Sequence, residues 1–165
     1  MAKKVSRIDK YDASPDAIYA MLCDASYVEG KYQALGDVSS KVDDHTAGDG
    51  TLTLKVNRVV PSDMPDFAKK ILGETNDLVQ EESWTKTADG YICDLHIAAP
   101  GKPLNITGKL EIKGTGPDTS DWHVDMDIKS SIPLVGGKLE GSVQKETLAS
   151  LDKEYAFNKE WLAAH

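Results

Sequence analysis

Asp12-Ala13-Ser14-Pro15-Asp16-Ala17-Ile18-Tyr19-Ala20-Met21-Leu22-Cys23-Asp24 sets two helix starts close together. Ser14 suits an N-cap and Pro15 the first helical position, where a missing N–H costs nothing. Ile18, Tyr19, Met21 and Leu22 then form the apolar side of a short helix. Asp24 caps a second helix that runs to about Leu35, with Gly36 available as a left-handed terminator. Upstream, Lys4 to Tyr11 alternates loosely and reads as a strand whose inward face is ambiguous. One strand followed by two short helices is a distinctive opening.

Working outward, strands dominate the middle of the chain. Asp37 to Asp43 reads as a weak, polar strand, and His45 to Gly50 as the loop after it. From Thr51 to Val60 the alternation is clear, with Leu52, Leu54, Val56, Arg58 and Val60 on one face. Pro61 and Pro65 break that strand, and Phe67 to Leu72 suggests a short helix closed by Gly73. Leu78 to Thr87 is a further strand, joined through Ala88-Asp89-Gly90, a pair suited to a hairpin, to one starting at Tyr91. On that partner Tyr91, Cys93, Leu95 and Ile97 share a side. The next strand turns Leu104, Ile106, Leu110 and Ile112 inward, and the last does the same with Trp122, Val124, Met126 and Ile128.

Pro133 ends the strands. Leu134 to Ala164 has no proline and good helix formers, which predicts one long terminal helix. Leu148, Leu151, Tyr155 and Leu162 fall in its apolar stripe, flanked by Val143 and Trp161. Gly136 and Gly137 near its start suggest a close backbone approach to another element. Six or seven antiparallel strands present one apolar face that must be covered, and the terminal helix is the only long amphipathic element to cover it. The fold class is therefore α+β, a curved antiparallel sheet wrapped around a long last helix, with two short helices after the first strand. No linker or repeat divides residues 1–165, so a single domain is expected. A curved sheet and a straight helix do not fit flush, and the gap between them is where a ligand would lie.

Composition narrows the partners. There are 27 acidic residues against 19 basic ones, for a net charge of -8. The only adjacent basic pairs are Lys3-Lys4 and Lys69-Lys70, so nucleic acid and anionic membrane are poor partners. No apolar run approaches the ~18 residues of a membrane span. The N-terminal segment has no apolar stretch behind its positive charge and does not read as a secretory signal. Cys23 and Cys93 are read as free thiols of a cytoplasmic protein.

The order of elements resembles the START-like (SRPBCC, helix-grip, Bet v 1-like) superfamily, and the Asp12–Asp24 stretch is similar to its opening signature. Ile132-Pro133-Leu134-Val135-Gly136-Gly137-Lys138-Leu139-Glu140 and Glu81-Glu82-Ser83-Trp84 further resemble a bacterial family of unknown function within it. The resemblance spans essentially the whole chain. It implies a chamber under the last helix that holds an apolar small molecule, and it carries no shared catalytic motif.

The residues themselves supply the candidates for that chamber. Arg58 falls on a face that should be buried and offers a planar fork of donors to a ligand carboxylate or carbonyl. Glu82 or Glu154 is its expected counter-ion. The competing reading is that Arg58 lies near a strand end and snorkels to water. Val56 and Leu95 lie on inward faces, and Trp84, Tyr91, Met126 and Tyr155 could line a chamber or simply fill the core. These seven, Arg58 included, are the expected ligand-binding residues. His96 and His123 fall on polar faces, His45 in a turn and His165 at the end, and no nucleophile is placed with them. Asp43, Asp44, His45 and Asp49 match no metal-binding spacing, and no phosphate-loop or dinucleotide motif is present. Neither a cofactor nor a metal is expected.

Three roles follow. The favoured one is a binding protein for a hydrophobic or lipid-like small molecule. The others are a polyketide cyclase- or hydratase-like enzyme, in which Arg58 and a tyrosine stabilise an enolate, and a protein-interaction scaffold with a filled core. A cavity above about 300 Å³ favours the first two. Pro65 to Leu72 has the composition of a flap over an opening.

Overall fold

The computed structural model describes residues 2–165. Seven strands form one antiparallel sheet: β1 (Lys3–Tyr11), β2 (Ser39–Ala47), β3 (Thr51–Pro61), β4 (Thr75–Lys86), β5 (Gly90–Ala98), β6 (Leu104–Gly116) and β7 (Thr119–Ser130). Their order across the sheet is β1-β7-β6-β5-β4-β3-β2. From β2 onward each strand hairpins onto the next, and β7 closes beside β1. The chain crosses from one sheet edge to the other through α1 (Pro15–Leu22) and α2 (Ala25–Ala34). A short helix, α3 (Asp66–Leu72), joins β3 to β4, and α4 (Gly136–Ala164) ends the chain. This is the expected α+β architecture.

Local chemistry sets the boundaries. The Ser14 side chain accepts from the Ala17 N–H at 3.1 Å and Asp24 from the Ser26 N–H at 2.8 Å, so both helix starts are capped. Gly36 has φ +89°, the left-handed geometry that lets the chain leave α2. At the β4–β5 hairpin a Cβ on Gly90 would collide with the Ile112 carbonyl of β6, which leaves glycine alone at that position.

Several expected boundaries are corrected. β2 reaches Ala47, so His45 lies in a strand, with its Nε2 3.0 Å from the Leu22 carbonyl. A bulge between Val42 and Asp44 interrupts its alternation, and an edge strand exposed on both faces has no apolar pattern to read. β4 begins at Thr75, because Asn76 continues its buried face in place of an apolar residue. Leu148 is 39% exposed and lies outside the buried stripe of α4. A Cβ on Gly137 would meet nothing, and one on Gly136 only ordinary neighbours. Neither glycine marks a close approach.

The core lies between the inner face of the sheet and α4. The buried amide of Asn158 ties three elements together: its Oδ1 accepts from the Tyr27 hydroxyl at 2.7 Å, and its Nδ2 donates to the Tyr11 hydroxyl at 3.2 Å. α4 is thereby pinned to α2 and β1 along its C-terminal half. Near its start the helix is tied as well, Glu140 accepting from the Ser130 N–H at 2.8 Å and Gln144 donating to the Lys4 carbonyl at 2.6 Å. Along residues 143–154 sheet and helix separate.

Candidate functional site

That separation leaves a cavity of about 250 Å³, smaller than the expected figure but unfilled. Apolar side chains of β5–β7, among them Leu95, Ile97, Ile106, Leu110, Trp122 and Met126, form one wall, and Val143 and Leu151 of α4 another. Exposed residues on the lining, including Gly36, Pro61, Asp63, Ala149 and Lys153, mark where it opens.

The third wall is polar and comes from α2, β3 and β4. Asn76, Leu78, Gln80, Glu82 and Trp84 alternate inward along β4, a face on which three of five residues are polar. These groups are connected. Arg58 donates from Nε and Nη2 to Asp37 at 2.8 and 2.9 Å, and from Nη1 to Gln80 Oε1 at 3.0 Å. Gln80 Nε2 donates to Glu82 at 2.7 Å, whose other oxygen accepts from the Trp84 indole at 2.9 Å. Above this row Lys31 pairs with Glu154 at 3.1 Å. The Arg58 guanidinium and the Lys31 ammonium lie 4.6 and 4.8 Å from the Tyr32 ring centre.

Burial shapes the titration of this wall. Burial opposes the charge of Lys31, but Glu154 together with Tyr32, Tyr27 and Glu82 around it outweighs that and lifts the ammonium well above its ordinary value. Arg58 is likewise opposed by burial and raised by its bonds to Asp37. Burial pushes the Tyr32 hydroxyl up to about 12 and also raises the Glu146 carboxyl. Two polar atoms on the lining have no partner: Tyr32 Oη, on a side chain 1% exposed, and Asn76 Oδ1, on one 7% exposed. Buried polar atoms are seldom left unpaired, and here both belong to residues of the cavity lining.

Of the residues the sequence singled out, Arg58, Leu95 and Met126 line the cavity. Val56 and Trp84 are buried beyond it, Trp84 lying edge-on to Trp122 at 5.6 Å. Tyr91 lies elsewhere, under α1, with its hydroxyl donating to Asp16 at 2.7 Å and its ring stacked on Tyr19 at 4.4 Å. Tyr155 donates to the Lys10 carbonyl at 2.6 Å. The counter-ion of Arg58 is Asp37, not Glu82 or Glu154, and its three donor nitrogens are all engaged, so it does not snorkel. Tyr32, Asn76 and Gln80 were missed. Their signal was present in β4, where polar residues take the in-facing places between Leu78 and Trp84. None of the four histidines lines the cavity. Among the described residues no group of three His, Cys, Asp or Glu side chains could hold a metal ion.

A family model described as "Protein of unknown function (DUF2505)" matches residues 8–162. The chain belongs to the DUF2505 family. No curated protein matches this DUF2505 chain. Among solved structures it is similar to TTHA0849 of Thermus thermophilus, with TM-score 0.66 and 17% identity over 98% of each chain. A START superfamily protein from Mycobacterium smegmatis matches with TM-score 0.60 and 19% identity, over 96% of this chain and 98% of that one. The Zhui aromatase/cyclase from Streptomyces sp. R1128 matches with TM-score 0.61 and 11% identity, over 96% and 94%. At these identities the likeness is one of fold, and the DUF2505 fold is START-like, the helix grip with a cavity beneath its last helix. No helix among the described residues is long and apolar enough to cross a membrane.

Proposed function

We propose that this DUF2505 domain encloses a hydrophobic small molecule with a polar end, held between the sheet and α4. The observation that carries this reading is an unfilled cavity with apolar walls on two sides and two unpartnered buried polar atoms, Tyr32 Oη and Asn76 Oδ1, on the third. Filling the space with aliphatic or aromatic carbon removes apolar wall from water. A polar end would satisfy Tyr32 or Asn76, which otherwise bear an unmet desolvation cost. Around the cavity Arg58 on the polar wall and Leu95 and Met126 on the apolar one serve as ligand-contacting residues. Arg58 acts through its stem and guanidinium face, because Nε, Nη1 and Nη2 each already donate to Asp37 or Gln80. The two free cysteines suit a reducing cytoplasm.

A cyclase-like reaction is the second reading, favoured by the Tyr32 ring against the Arg58 guanidinium on the lining and by the fold shared with an aromatase/cyclase. It is the weaker one, because the Arg58 donors point at Asp37 and Gln80 rather than into open space. The unfilled cavity of about 250 Å³ speaks against a pure scaffold, which calls for a filled core. Native mass spectrometry of the protein purified from its own host tests the proposal. A co-purifying apolar compound that is released on denaturation is expected, and a bare mass in every preparation would count against it.

A further inference from the structure

The charges buried around the cavity do not balance. Lys31 is held by Glu154 and Arg58 by Asp37, so both buried cations are engaged. Glu82 also lies on the lining, with its side chain 5% exposed, and no lysine or arginine among the described residues comes within ion-pair distance of it. Its two hydrogen bonds come from neutral donors, the Gln80 amide and the Trp84 indole. Lys31 acts on Glu82 only from beyond ion-pair distance, and a buried carboxylate with no cation in contact is costly and keeps unused acceptor sites on its oxygens.

The surrounding residues cannot relieve this charge by turning. Gln80 is fixed at both ends, its Oε1 accepting from Arg58 and its Nε2 donating to Glu82. The row Asp37–Arg58–Gln80–Glu82–Trp84 therefore presents a preorganised anion at the wall of an apolar cavity. Independently of that row, the unpartnered Tyr32 hydroxyl on the same lining offers a lone pair to a donor.

We infer that the ligand is an amine: an apolar body ending in an ammonium or similar N–H cation, with Glu82 as its counter-charge. This rests on the reading that the cavity holds a ligand, and it names the polar end that reading leaves open. A carboxylate ligand would meet Glu82 as a like charge, and a neutral alcohol would leave it unpaired. The net charge of -8 also attracts a cation from solution.

Calorimetric titration of the full chain with octylammonium, 1-octanol and octanoate at neutral pH tests the inference. Octylammonium is expected to bind roughly tenfold or more tighter than octanol, as fits a charge-assisted hydrogen bond, with octanoate weakest. Glu82→Gln removes the charge, leaves one acceptor oxygen for the two donors Gln80 and Trp84, and is expected to remove the preference for octylammonium over octanol. Octanol bound as tightly as octylammonium, or a preference that survives in Glu82→Gln, overturns the amine and leaves the cavity reading standing. Failure of all three compounds to bind overturns both. Should Glu82→Gln not fold, the ranking of the three compounds on the unaltered protein decides alone.

Discussion

Arg58 and Asp37 form a bidentate pair in which each side chain is nearly inaccessible to water. Removing one partner strands the other, at a cost of about 3–5 kcal/mol. Arg58→Leu is therefore expected to lower the urea midpoint strongly, and Arg58→Leu combined with Asp37→Leu to recover much of the loss. Had Arg58 been a free anchor, the single variant would lose ligand and keep its stability. Glu146 behaves oppositely. Burial raises its carboxyl above the ordinary value of 4.5, so the folded state favours the protonated form. Its contribution to stability is complete below that ordinary value and is lost as pH rises through the raised one. Glu146→Gln, which keeps the acceptor for the Asp63 N–H, is expected to melt higher than the parent at neutral pH. That advantage should vanish in melts below about pH 4.5, because there both states of the parent are protonated.

At the scale of elements, what could be read from sequence followed from how one-sided each element is. α1 and α2 announce themselves through Ser14-Pro15 and Asp24, and β3 and β5–β7 through strict alternation over a single buried face. Ser14→Ala is expected to cost about 0.5–2 kcal/mol in chemical unfolding by removing the cap. β2 was less legible because neither of its faces is buried. The start of β4 was hidden because its inner face carries Asn76, Gln80 and Glu82 where alternation rules look for carbon. The same polar residues are the ones that make the site. Tyr32 was lost for a related reason: on a short helix of low amphipathicity, an inward tyrosine gives no sign of whether its hydroxyl is satisfied. The glycines of α4 misled in the other direction, since Gly137 lies in open space. Gly137→Ala is expected to stabilise by about 0.4–1 kcal/mol, read as a raised urea midpoint with an unchanged slope.

For the whole molecule, α4 is tied near both ends, through Asn158 at one and through Glu140 and Gln144 at the other, and the hollow lies under the stretch from Val143 to Glu154. Filling that hollow from the helix side separates cavity from core. Val143→Phe is expected to displace any bound compound in native mass spectrometry with little change in melting temperature. In a filled core the same ring would cost about 1–3 kcal/mol. The burial argument anticipated this hollow from the mismatch of a curved sheet and a straight helix. Its chemistry came instead from the order in which five side chains connect, which no alternation pattern encodes. The most direct measurement is a methyl NMR titration with 1-octanol. Shifts confined to Leu95, Ile97, Ile106, Leu110, Val143 and Leu151 are the expected result. Shifts on the exposed methyls of Ile8, Val38 and Leu134, with the inner set unmoved, would contradict an enclosed ligand.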